Sequence, residues 1–187
     1  PLTNQALAML YLGTKRVAEA EQPLKVVVAN APGPEARIML ADYYANSQRL
    51  PEAKVLYEEV AKGKEKTAAT TAKLRLASLG LIEGDKKTAY ELIDGVLAKE
   101  PKNTQAHVAR AQLLLTDGKS SEALASAKAA IAADPKAPMP QFVAGLCFKS
   151  LYQFEEATAA FKTALGLSSG FAPPNVELGK LAIQAGQ

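Results

Sequence analysis

Small apolar residues recur along the chain at a fixed interval, with larger ones at set distances from them. Ala89, Ala123 and Ala157 lie 34 residues apart, and so do Ala77, Ala111, Gly145 and Gly179. Pro101 and Pro135 keep the same step, in the matching contexts Ala98-Lys99-Glu100-Pro101 and Ala132-Ala133-Asp134-Pro135. Gly84, Gly118 and Gly186 fall on the same grid, with Tyr152 in the equivalent slot. A constant period of this length marks stacked supersecondary units, each unable to bury its faces alone. Every period reads as two helices and a short turn, with helix A over roughly the first 14 positions and helix B over roughly positions 18 to 31.

Six repeats begin at Pro1, Pro34, Thr70, Thr104, Pro138 and Ala172. They divide the chain into 1–33, 34–69, 70–103, 104–137, 138–171 and a partial repeat 172–187 with helix A only. The unequal first two spacings, 33 and 36, are expected in loops, where length changes cost little. Position 8 reads Ala8, Ala41, Ala77, Ala111, Gly145 and Gly179; position 20 reads Ala20, Ala53, Ala89, Ala123 and Ala157. Small side chains there let the paired helices approach, while Tyr11, Tyr44, Tyr57, Phe148 and Phe161 fill the space beside them. Gly84 and Gly118 are placed to end helix A in a left-handed cap. Pro101 and Pro135 end helix B. Pro23 falls inside the second helix of the first repeat and should kink or shorten it.

The grid resembles the tetratricopeptide repeat: a small residue at position 8, a large one at 11, Gly near 15, Ala at 20, a large or aromatic residue at 24, Ala at 27 and Pro at 32. Position 24 here reads Leu24, Tyr57, Ile93, Ala127 and Phe161, position 27 reads Val27, Val60, Val96, Ala130 and Ala164, and position 32 reads Pro32, Glu65, Pro101, Pro135 and Ser169. Gly80 departs from the pattern at position 11. The resemblance spans the whole chain. It implies an all-α fold, an α-solenoid coiled as a right-handed superhelix of antiparallel helix pairs, in a single array over 1–187. It also implies a concave surface lined by helix A, through positions 2, 5, 9, 12 and 13, that binds an extended peptide or a helix.

On that surface the sequence places an apolar stripe of Leu74, Leu81, Ile82, Val108, Leu115, Phe142 and Leu146. Its polar edge is Asp42, Asn46, Ser78, Gln105, Gln112, Thr116 and Lys149. An exposed apolar stripe with a polar edge fits an amphipathic helix or apolar peptide. The same residues could instead pack among the chain's own helices, or mediate self-association. The subtype that grips a terminal carboxylate needs Lys and Asn at positions 5 and 9, then Lys and Arg at 2 and 6 two repeats on. Gln5/Met9, Ile38/Asp42 and Leu74/Ser78 do not supply the first pair, and Thr71 stands where the second Lys would precede Arg75.

Composition narrows the chemistry. With 48% hydrophobic and 22% charged residues the chain is globular, and a net charge of +3 gives no basis for nucleic-acid binding. One Cys and one His exclude a disulfide, a cysteine-cluster metal site and a two-histidine metal site. No phosphate-cradling glycine loop or nucleophile elbow occurs, so no cofactor is expected. Cys147 reads as a small buried hydrophobe and His107 as a residue in a helix seam. Arg110, at a position usually filled by Leu, should snorkel or meet an acid. Lys62 to Lys66 reads as a solvated basic loop and Glu58-Glu59 as a solvated face. Apolar runs are too short to span a bilayer, so direct membrane insertion is not expected.

The partial repeat suggests a piece of a longer array. Its apolar helix, with Val176, Leu178, Leu181, Ala182 and Ile183, is expected to pack on another molecule, a second copy included. The expectation for function is a non-catalytic scaffold for a protein partner. The alternative is a regulatory or substrate-positioning arm of a larger enzyme, or of a bacterial envelope or polysaccharide-export assembly. Nothing in the sequence selects a compartment.

Overall fold

A computed structural model of the chain describes residues 2–31, 33–168 and 170–184. The repeat positions held by Pro1, Pro32, Ser169 and Gly186 lie outside the described residues. Within them the chain is all-helical, with no strand. The α-helices run α1 Leu2–Gly13, α2 Glu21–Asn30, α3 Pro34–Asn46, α4 Leu50–Ala61, α5 Lys66–Glu83, α6 Lys86–Leu97, α7 Thr104–Thr116, α8 Ser120–Ala133, α9 Pro138–Ser150, α10 Phe154–Leu167 and α11 Pro173–Gln184.

The chain forms two compact units, Pro1–Asp85 and Lys86–Gln187. In the first, α1 to α5 pack in chain order, and α3 also meets α5. In the second, α6 to α11 pack in chain order, and α7 also meets α9. Within each unit every helix thus packs on its neighbour along the chain, and one helix A also reaches the next.

The small residues sit where close approach requires them. Every alanine at positions 8 and 20 is at most 2% exposed. In the first unit Ala8, Ala20, Ala41 and Ala53 share a core with Leu24, Tyr44 and Tyr57. In the second, Ala111, Ala123, Val143 and Cys147 form one cluster, and Ala157, Phe161 and Leu181 form another. Phe161 is fully buried; a side chain of that kind contributes about 1.5–3 kcal/mol of transfer free energy.

Position 15 takes the left-handed conformation in every one of the first five repeats, whatever residue stands there. Gly84 and Gly118 have φ of 82° and 71°, and Lys15, Gln48 and Tyr152 have φ of 61°, 61° and 59°. The turn is a hydrogen-bonded cap: the N–H groups of Arg16, Arg49, Lys119 and Gln153 donate to Tyr11, Tyr44, Leu114 and Phe148 carbonyls at 2.8–2.9 Å. The turn geometry therefore dictates a glycine slot, and three of the five repeats fill it at a steric cost.

Pro23 behaves as its ring requires. A short 3-10 turn, Val17–Ala20, precedes α2, and Pro23 occupies the third position of α2. There its missing N–H would have no intrahelical partner in any case. The long second interval departs from expectation: its extra residues are helical, not looped. α5 starts at Lys66 and runs 18 residues, burying Ala68 and Ala69 in an added N-terminal turn. Two consecutive alanines favour helix and gain burial there.

Candidate functional site

In the first unit, α1, α3 and α5 enclose a cavity of about 590 Å³. α1 contributes Met9 and Leu12; α3 contributes Glu35, Ile38, Met39, Asp42 and Asn46; Thr67, Ala68 and Thr71 come from α5. Val17 and Glu65 close its rim. Helical spacing places the lining on one face of α3, where Ile38, Asp42 and Asn46 follow one another at one-turn intervals.

Asp42 is the most constrained polar group in this wall. It accepts a hydrogen bond from the Tyr57 hydroxyl of α4 and lies 2.9 Å from Arg75 Nε of α5. Burial, reinforced by the Asp42 carboxylate, raises the Tyr57 phenol above its ordinary range, so it stays a donor. Asp42 therefore ties α3 to α4 and α5.

Of the residues selected from the sequence, Asp42 and Asn46 line this cavity. On α5, Leu74 is buried, Leu81 half-buried, and Ser78 and Ile82 are exposed. The Ser78 hydroxyl donates to the Leu74 carbonyl at 3.1 Å. Met9, Leu12, Glu35, Ile38, Met39 and Thr71 were not in that selection. The positional signal for most of them was available, because Glu35 and Thr71 hold position 2, Ile38 position 5, Met9 position 9 and Leu12 position 12.

In the second unit the selected residues divide by polarity. Val108 is buried in the core, with Leu115 half-buried against the same cluster. Phe142 is half-buried, its ring centroid 5.7 Å from Phe161 and 5.6 Å from Phe171. Leu146 packs on the cluster of Phe161 and Leu181. Gln105, Gln112 and Thr116 are exposed, and Thr116 donates to the Leu113 carbonyl at 2.7 Å. Lys149 is bound to Glu177 of α11, which also meets Lys180 at 2.7 Å. Bonds from these two lysines hold the Glu177 carboxyl below the usual carboxylate range.

Other singled-out residues have local roles. Arg110 Nε lies 3.3 Å from Asp94, so it meets an acid. Cys147 is fully buried, and burial pushes its thiol up to about 11, which makes it inert as a nucleophile at neutral pH. His107 Nε2 lies 2.8 Å from the Pro101 carbonyl, which fixes that nitrogen as the donor. Lys62 to Lys66 is exposed throughout. Among the described residues no group of His, Cys, Asp and Glu is placed to hold a metal ion, and no helix is long and apolar enough to cross a membrane.

The tetratricopeptide repeat family model matches residues 74–138. No curated protein matches the sequence. Among solved structures, a tetratricopeptide repeat protein from Parabacteroides merdae is similar with a TM-score of 0.80 at 20% identity, over 96% of this chain and 70% of that one. A thermophilic tetratricopeptide repeat protein of Thermus thermophilus is similar at 0.77 and 17% identity, over 97% of this chain and 98% of that one. The first tetratricopeptide repeat domain of Spaghetti (RPAP3), bound to an HSP90 peptide, is similar at 0.57 and 17% identity, over 63% of this chain and 94% of that one. At these identities the likeness is one of fold: an α-solenoid of stacked antiparallel helix pairs.

Proposed function

We propose that this chain, a tetratricopeptide repeat protein, is a non-catalytic scaffold that binds a peptide or helix of a protein partner on its helix A surface. The observation that carries this reading is the cavity between α1, α3 and α5, with Met9, Leu12, Ile38 and Met39 facing a common space. A groove lined mainly by apolar side chains with a few placed polar groups is the form peptide sites take. The fold also carries a peptide in the Spaghetti domain. The exposed polar residues of α7, Gln105 and Gln112, with Thr116, extend a helix A face in the second unit and are proposed as further contacts there.

The test is selection from a random peptide display library against the chain. Enriched peptides should bind in solution, and Met9→Ser/Ile38→Ser should weaken them about tenfold or more, as expected for losing two central apolar anchors. Selected peptides whose binding is indifferent to that double variant would reject the cavity as the site.

A second contact is proposed at α11, where Val176 is 58% and Ile183 is 78% exposed. These side chains would pack on another copy. Light scattering should show association that Val176→Asp/Ile183→Asp removes; a monomer at high concentration would contradict it.

A further inference from the structure

We infer that the first-unit cavity selects a cationic amphipathic segment, one with apolar anchors flanked by Lys or Arg. The inference rests on the groove reading above and adds the charge of the occupant. Every charged residue lining the cavity is acidic: Glu35, Asp42 and Glu65. Asp42 is already neutralised by Arg75 at 2.9 Å. Glu35 and Glu65 are exposed, and neither has an ion-pair partner among the described residues. The nearest cations along the chain, Arg16, Arg37, Lys64 and Lys66, do not line the cavity, and Arg16 and Arg37 already meet Glu19 and Glu59.

The helix N-termini offset part of this charge. Glu35 sits in the first turn of α3, and Glu65 stands at the N-cap position of α5 without a side-chain capping bond. Each helix contributes about half a positive charge, so the cavity keeps roughly one net negative charge beside its apolar wall. That contrasts with the chain's overall charge of +3. Long-range attraction would draw an anionic partner to this protein, whereas the cavity itself rewards a cation. Selection is therefore local: a Lys or Arg must reach Glu35 or Glu65 while its neighbours fill the space between Met9, Ile38 and Met39. The side chains that grip an acidic terminal peptide are absent from this wall, where Met9, Ile38 and Asp42 stand instead.

The test uses three fluorescein-labelled helical peptides of about four turns. They share Leu and Met anchors at i, i+3, i+4 and i+7, and differ only in carrying Lys, Gln or Glu elsewhere. Fluorescence anisotropy should rank them Lys, Gln, Glu, with the lysine peptide about fivefold tighter than the glutamine one, the size expected of two exposed ion pairs. The preference should shrink as salt rises. Glu35→Gln/Glu65→Gln, checked for helicity, should bring the lysine peptide down to the glutamine peptide and leave the latter unchanged. Equal affinity for all three, lost in Met9→Ser/Ile38→Ser, keeps the groove and overturns the charge assignment. Tightest binding of the glutamate peptide also overturns it. Binding of none overturns both the groove and the inference. A dimer that Met9→Ser/Ile38→Ser dissociates makes a second copy the occupant, and overturns it as well.

Discussion

The ring of Phe161 fills the space beside Gly145: a Cβ built at that glycine would stand 2.4 Å from Cε1 and 2.6 Å from Cδ1 of the ring. These are positions 8 and 24 of one repeat, on α9 and α10. The fifth repeat has glycine where the four before it have alanine because the ring occupies the methyl's place. Phe161 is fully buried and cannot retreat. Gly145→Ala should therefore destabilise the chain by about 1–3 kcal/mol through overpacking, although alanine is the better helix former. Chemical denaturation followed by circular dichroism measures it; an unchanged or raised midpoint would show that the ring moves aside cheaply.

The left-handed slot after helix A predicts the opposite sign. Gln48 and Tyr152 hold φ of 61° and 59°, and Tyr152 is 82% exposed, so little packing is lost on truncation. Gln48→Gly and Tyr152→Gly should each stabilise by up to about 1 kcal/mol. Gly118→Ala, at φ 71° with open space around the added methyl, should cost about the same from backbone strain alone. Melting temperatures of the three variants test the set.

Glu177 makes the stability of α11 pH-dependent. Its carboxyl is held below its ordinary range by Lys149 and then Lys180. A carboxyl depressed in the folded state stabilises fully above its unfolded pKa, about 4.3, and loses that contribution as pH falls through the folded value. Glu177→Gln should cost about 1–3 kcal/mol at pH 7 and much less near pH 3. Urea midpoints of the two proteins at both pH values give the comparison; a pH-independent gap would refute the linkage.

Cys147 supplies a probe of unfolding. Being fully buried, with its thiol raised to about 11, it should react with a thiol reagent only at the rate at which the second unit opens. Rapid labelling in native buffer would show that the α9 core is far less protected than its packing implies.

The scaffold was legible because it rests on residues too small to be replaced. Ala20, Ala53, Ala89, Ala123 and Ala157 announce close helix contacts, and all are at most 1% exposed. Capping was only partly legible, since Lys15, Gln48 and Tyr152 adopt a glycine conformation without being glycine. The binding surface was the hardest to read. Position 5 faces both the groove and the next helix, so pattern alone does not separate lining from seam. Val108 sits in the core and Phe142 packs on Phe161 and Phe171, while Ile38 lines a cavity. Lys149 looked like a groove edge but is bound to Glu177, a pairing across 28 residues that no local spacing encodes.

The central claim is that the space between α1, α3 and α5 receives a protein segment. Methyl-labelled NMR of the chain, titrated with a display-selected peptide, reads Met9, Leu12, Ile38 and Met39 directly. Saturable shifts at these methyls, with those of fully buried Val143 unmoved, are the predicted result. Saturation of the peptide without any response at them would contradict it.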